Sequence, residues 1–450
     1  MNYDFLIPVW GKSYVRNFTE ISLPTQLSAG NLGAFVDDPG AVYKIMTSSL
    51  DAPQIKSSAS FKELERMIRT EFVLIDSFIG NSDYNIFSKC HELGIDARSN
   101  SIEDTVFFFG VSDAAWSDGS FRRAKEIIEG GKRAVMVSGG FHVVQETFGP
   151  ALLATFGTHG SQCLVCPARP LLDLAFQHVQ IITKSMVWKN GQIRNKQCAV
   201  HHWESGENCL MSRCWVFHPM AVRPRKSHRL IDINGNPTTV DNVGVQQAGL
   251  TQEDLYVVTD SDEILLLEMS PASYTQSNHT NYDVVVDGEY TPDFVVAWLE
   301  TSTHGLYVDD MVRNVQNYYA WFHSKELSDH EKRKTEKDSD KVITQITMLY
   351  RKRNSQTKPQ KTLKVFAKKT IIFAMRPIGK LLFRLVLRAF GLFKKLFPEE
   401  CRELGSMIDK RIELAVLAGL RKHGFSILSE MYYPKDDSQD VTRLDTKWSE

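Results

Sequence analysis

The stretch TVFFFGVSDAAWSDGSFRRAKEIIEGGKRAVMVSGG, residues 105–140, decides how this chain is read. It contains an apolar run of strand length, an acid at its end (Asp113), an amphipathic helix closed by Gly130 and Gly131, and a second apolar run. A strand that reaches the next strand through a helix makes a parallel neighbour, because a parallel pair needs a crossover. The same unit recurs upstream: YDFLIPVW, AVYKIMTS and EFVLIDSFI read as strands, and SFKELERMIRT and YNIFSKCHELGI as helices. In SFKELERMIRT, Phe61, Leu64, Met67 and Ile68 share one helical face. The fold expected is therefore α/β, with a doubly wound, mostly parallel sheet. In such sheets ligands gather beyond the carboxyl ends of the strands, which is where Asp113 falls. Asp118, or Ser117, reads as the cap of the following helix.

At 450 residues, 42% hydrophobic and 24% charged, the chain has the composition of a globular protein of two or three domains, or of one large domain with appendages. Seven cysteines, an odd number, and an N-terminus without a secretory signal pattern point to a reducing compartment. No uninterrupted apolar stretch reaches the ~18 to 20 residues that span a bilayer as a helix. The formal net charge of -1 hides an asymmetry. Residues 341–398 hold fifteen Lys or Arg and no Asp or Glu, so the remainder carries -16.

The organisation expected is an α/β domain over 1–323, a charged linker over 324–341 (mostly SKELSDHEKRKTEKDSDK), a basic amphipathic segment over 342–398, and a C-terminal helix with a polar tail over 399–450. In the basic segment Arg376, Lys380, Arg384 and Arg388 recur every four residues along one helix face, with Leu and Phe over much of the rest. That is the pattern of a helix lying in the headgroup plane, and Lys361 to Phe397 is the expected contact with an anionic membrane surface. A partner protein is the rival. Nucleic acid fits less well, because the stretch is strongly apolar.

Several chemistries lack their motif. PVWGKSY stands where a dinucleotide fold would carry G-x-G-x-x-G, no P-loop sequence occurs, and no G-x-S-x-G elbow is present. An α/β sheet without a Gly-rich loop can hold a nucleotide's diphosphate through a divalent cation on paired carboxylates, since Mg²⁺ and Mn²⁺ prefer oxygen ligands. Asp113 and the compact Asp260-Ser261-Asp262 are the carboxylates placed for this, although TDSDE also reads as a solvated turn. Arg223, with Arg225, Lys226 and Arg229, suits phosphate recognition or an exposed solubilising loop equally. Cys163-x-x-Cys166 lacks a regularly spaced second pair and reads as buried thiols rather than zinc ligands.

The strand opening with IPVW, the acid-ended VFFFGVSD and the later FHPMAVRP together resemble the GT-A superfamily of nucleotide-sugar glycosyltransferases. More narrowly, they are similar to a group of bacterial proteins whose N-termini read much like PVWGKSYVRNF and LPTQLSAGNL. The resemblance covers roughly residues 4–310. It implies a nucleotide-sugar donor at the strand carboxyl ends, a Mn²⁺ or Mg²⁺ ion on an acidic pair, and Pro8, Val9 and Trp10 near the base. It also implies a late histidine completing the metal site, His218 first and His304 second, although a histidine before Pro219 can instead satisfy a loop carbonyl. The sequence departs from the pattern in that VSDAAWSD is not a compact Asp-x-Asp and the compact one comes late. The reading is a cytoplasmic glycosyltransferase, peripheral on the inner face of a membrane, acting on a glycan or lipid-linked acceptor. A non-catalytic membrane adaptor and a metal-dependent phosphoesterase are the competing classes. No catalytic base is assigned.

Overall fold

A computed structural model describes residues 1–80, 83–194, 199–230, 239–273, 291–302 and 308–353. The chain divides into two units, Met1–Ser355 and Gln356–Glu450. The second unit, which holds Lys361 to Phe397 and residues 399–450, lies outside the described residues, as does His304.

The strands in chain order are β1 (Asn2–Pro8), β2 (Ala41–Thr47), β3 (Arg69–Leu74), β4 (Thr105–Phe109), β5 (Ala114–Trp116), β6 (Ala134–Val137), β7 (His142–Val144), β8 (Val200–Glu204), β9 (Cys209–Cys214), β10 (His218–Val222), β11 (Leu255–Val257), β12 (Leu266–Ser270) and β13 (Ala320–His323). Seven of them form the central sheet in the order β3-β2-β1-β4-β10-β6-β11. Its strands run parallel except β10, which is antiparallel to both β4 and β6. β1, β2, β4 and β6 are almost wholly buried because helices cover both faces, which is why they read as continuous apolar runs.

The helix Ala59–Met67 starts where the Ser58 hydroxyl accepts the Phe61 amide at 3.2 Å, and it packs Phe61 and Leu64 on one face of the sheet. The helix Ser120–Glu129 covers the same face with Phe121, Ala124, Ile127 and Ile128. Asp96 ends the helix Asp83–Asp96, which covers the other face with Ile86, Cys90 and Ile95. The cap of Ser120–Glu129 is Gly119 in the left-handed region (φ 92°), not Ser117 or Asp118. Asp118 instead accepts the Gly30 amide at 3.0 Å, so it holds the Gly-rich turn of residues 30–33 against the helix start.

A small sheet, β5-β12-β7, follows β4 and β6 at their carboxyl ends. A third, β13-β9-β8, packs on the helix Pro292–Ser302 and on residues 329–353, which are helical. The expected linker is thus largely helix. Its buried stripe is Thr335, Ser339, Ile343, Ile346, Thr347 and Tyr350, and the first two are hydroxyl residues that no hydrophobic pattern marks. Thr335 donates to the Ser205 hydroxyl at 2.9 Å, and Ser339 accepts from the buried Arg213, whose guanidinium also meets Asp340 and the carbonyls of Val315 and Gln316. Among the described residues no helix is long and apolar enough to cross a membrane.

Candidate functional site

β4 ends at Phe109, and the chain turns through Gly110, Val111 and Ser112 to Asp113 before entering β5. The turn is tight: a Cβ at Gly110 would lie 2.1 Å from Ile7 Cδ1, so a larger residue there would have to displace the end of the Ile7 side chain. Asp113 stands at the carboxyl edge of the sheet, as the sequence predicts. The carbonyl of Asp113 accepts the Met269 amide at 2.7 Å, which brings β12 alongside. The neighbouring residue of β12, Glu268, pairs with Ala114 on one side and His142 on the other.

Asp113 and Glu268 are near enough for their carboxylates to interact electrostatically. Burial, and then the Glu268 carboxylate, push the Asp113 carboxyl up to about 7. Among the described residues no Lys or Arg forms an ion pair with either. Glu268 is oriented by the Gly140 amide, which donates to Oε1 at 2.9 Å, and its Oε2 lies 3.9 Å from His142 Nε2. Gly140 adopts φ 86°, which aims that amide at the carboxylate. Behind the pair, His142 Nδ1 meets the Ser270 hydroxyl at 3.0 Å. Sequence reasoning missed Glu268. The available signal was a single carboxylate inside the apolar run ILLLEMS, since a charge is rarely carried into a core without a task or a partner.

His218 opens β10 at this same edge. Its Nδ1 lies 2.7 Å from Asp241 Oδ1 and its Nε2 lies 2.9 Å from the Phe109 carbonyl. Both partners only accept, an arrangement that favours a proton on each ring nitrogen. Burial opposes that charge, but Asp241 and the Phe109 carbonyl outweigh it and raise the His218 pKa. His218 lies outside the group that Asp260 and Asp262 form with His323. Next to His218, His91 is fully buried between Phe87 and Phe109, with neither nitrogen hydrogen-bonded. Burial, with the His218 charge, holds its pKa down to about 3, so it stays neutral.

Asp260, Asp262 and His323 bring their ligand atoms within 4.8 Å of one another. Each is already committed. Asp260 Oδ1 accepts from His323 Nε2 at 3.0 Å and from the Asp262 amide at 2.8 Å, while His323 Nδ1 meets the Lys325 carbonyl at 2.9 Å. Asp262 takes Arg169 as a fork at 2.7 to 3.1 Å. The Asp260 hydrogen bond raises the His323 pKa, and Asp262 is ion-paired with Arg169. Asp113 is not in the group.

The structure also separates Arg223 from the edge. Five residues of antiparallel strand carry it about 17 Å from His218, to the amino end of β4, where its Nε donates to the Glu103 carbonyl at 2.6 Å. Pro8 and Val9 are buried, and the Val9 amide donates to the Met46 carbonyl. Of the expected base contacts only Trp10, partly exposed with its ring 6.4 Å from Phe87, has side-chain surface to offer. Burial pushes the Cys166 thiol up to about 12 and also raises Cys163, which disfavours the thiolates a zinc ion would need.

No family model matches the chain, and no curated protein matches it. Among solved structures, one from Bacillus anthracis, described as a glucose-1-phosphate thymidylyltransferase in complex with a sucrose, is similar at 15% identity and a TM-score of 0.20. The match covers 32% of this chain and 55% of that one, so the chain spans about half the length of the structure it matches. The architecture of this protein rests on its own sheet order, not on that similarity.

Proposed function

We propose that this chain is a glycosyltransferase of GT-A-like fold that moves a sugar from a nucleotide-sugar donor to a glycan or lipid-linked acceptor. The observation that carries the reading is the Asp113 and Glu268 pair, two interacting carboxylates at the carboxyl end of β4 with which no Lys or Arg among the described residues forms an ion pair, the nearby basic groups being His142 and His218. The sheet order is compatible with it: one antiparallel strand, β10, is inserted between β4 and β6 in a sheet that is otherwise parallel.

The donor set fits a hard divalent cation, since it offers oxygen ligands and a local excess of negative charge. Asp113 and Glu268 would hold Mn²⁺ or Mg²⁺, which when bound offsets charge on the diphosphate and on the departing nucleoside diphosphate. The protein's own residues do the rest. Asp113 gives up its proton near neutral pH and becomes a full ligand. The Gly140 amide keeps Glu268 aimed at it, and Trp10 offers an aromatic face at the end of β1 for the base. The basic segment from Lys361 to Phe397 would meet the anionic surface where a lipid-linked acceptor resides, and flotation of the full chain with anionic and neutral vesicles tests that part separately.

The direct test incubates the full chain with a panel of nucleotide sugars, with and without Mn²⁺, and measures free nucleoside diphosphate. The reading expects one donor to be turned over in a metal-dependent way and turnover to be lost in D113N and E268Q. Turnover that survives both substitutions contradicts it. A folded wild-type chain that turns over none of the donors supports the adaptor class instead.

A further inference from the structure

β10 leaves the ladder early. It pairs with β4 through Ala221 and Val222, and its pairing with β6 shifts register between Pro219 and Ala221. Continued toward Phe109, the β4 register would place Met220 opposite Phe109 and Pro219 opposite Gly110, but the pairing stops at Ala221. The peptide at which β4 ends therefore lies just beyond the paired residues of β10. A buried carbonyl left without a donor is costly, and the structure meets the need with a side chain: His218 Nε2 donates to the Phe109 carbonyl at 2.9 Å. The other end of the ring is fixed by Asp241, near the start of the helix Val240–Gln247. His91 and Phe109 pack edge to face, 4.8 Å between ring centres, closing the apolar side.

We propose that His218 is a positioning residue, whose Nε2–H fixes the Phe109–Gly110 peptide and through it the turn that presents Asp113 to Glu268. The Phe109 carbonyl is the last fixed point of β4 before that turn. Gly110 follows it, squeezed against Ile7, and its amide donates to the Leu6 carbonyl at 3.1 Å. On the far side, β5 holds Ala114 in register with Glu268. Asp113 thus hangs between two anchors, and the His218 side chain supplies the first from the end of β10 that lies beyond its pairing with β4. The proposal rests on the reading of Asp113 and Glu268 as a cation-binding pair, and it assigns His218 a role through the turn rather than a contact with the cation.

Two isosteric variants separate the ring's two hydrogen bonds. The amide nitrogen of Gln in H218Q reaches the position of Nε2, and that of Asn in H218N reaches the position of Nδ1. Two quantities are measured on the full chain: Mn²⁺ affinity by calorimetry, and amide exchange of residues 110–113 without metal. H218Q should keep both within about twofold of wild type, whereas H218N should weaken Mn²⁺ binding and speed exchange by about tenfold each, the effect of leaving one buried carbonyl without its donor. A purely structural role, resting on the Asp241 pair, predicts the reverse order or an equal fall in both variants. Either result overturns the proposal, as does an H218N protein that matches wild type. If wild type itself binds no Mn²⁺, the cation reading fails on that result alone. The exchange measurement then decides the positioning claim: faster exchange in H218N than in H218Q sustains it, and equal exchange overturns it.

Discussion

Replacing Asp113 with Asn should make the metal-free protein more stable, because the wild-type carboxylate is held where it is disfavoured. Burial and the neighbouring Glu268 raise its pKa from 3.8 to about 7. Since each pKa unit is worth about 1.36 kcal/mol, keeping this group ionised at pH 7 costs the folded state about 4 kcal/mol relative to the unfolded chain. The Asn amide must still be buried, at about 2 kcal/mol, so the net gain is about 2 kcal/mol, or roughly 4 °C in midpoint for a unit of this size. The pH dependence has a definite sign. A carboxyl whose folded pKa is raised favours the fold fully at pH values below its unfolded pKa, and that contribution is lost as pH rises toward the folded value. Wild type should therefore lose stability relative to D113N between about pH 4 and 7. Thermal unfolding of both proteins across that range, without metal and with Mn²⁺, reads the difference. Mn²⁺ should stabilise wild type and leave D113N unchanged. A D113N protein less stable than wild type at pH 7 without metal would refute the reasoning, since Asp113 would then be making favourable contacts of its own.

Three further outcomes are expected. Asp260→Asn, which frees His323, should lower stability by about 1 to 2 kcal/mol while leaving Mn²⁺ affinity as in wild type, as measured by denaturant unfolding and calorimetry. A fragment of residues 1–355 should unfold cooperatively, whereas one of residues 1–323 should aggregate or expose dye-binding apolar surface, because it lacks the stripe of Ile343, Ile346 and Tyr350 that covers Trp203 and Met211. The raised pKa of His218 means that its stabilising contribution is complete below about pH 6.5 and is lost as pH rises through the folded value. Wild type should therefore show a loss on the alkaline side that H218Q lacks.

Much of the sheet was legible because its strands are buried on both faces and separated by amphipathic helices, a pattern that local sequence carries in full. Asp113 was legible for the same reason, as an acid directly after an apolar run. The insertion of β10 was not, because five residues around a proline do not say which strands they join. Once β10 is seen to be antiparallel, His218 and Arg223, neighbours in the sequence, fall at opposite edges. Glu268 lay hidden in an apolar strand whose partners, Ala114 and His142, are both more than 120 residues away. In the helix over 329–353, residues up to 341 were expected as linker and 342–353 as the start of the basic amphipathic segment, because hydroxyl side chains form the first part of its buried stripe. Its start did carry a signal: Ser328 and Glu331 form a reciprocal cap, with the Ser328 amide donating to Glu331 Oε2 at 3.1 Å and the Glu331 amide to the Ser328 hydroxyl at 3.3 Å. The partners of the compact Asp-x-Asp were not legible, since Arg169 and His323 are supplied from distant parts of the chain.

The central claim is that Asp113 and Glu268 hold a cation that holds a nucleoside diphosphate. It is tested most directly by the thermal midpoint of the full chain against a panel of nucleoside diphosphates, with and without Mn²⁺, in wild type, D113N and E268Q. A ligand that binds only the folded state must raise its stability by mass action. The account predicts a rise for one nucleotide that requires Mn²⁺ and disappears in both variants. A rise that persists in D113N and E268Q, or no rise with any nucleotide, would contradict it.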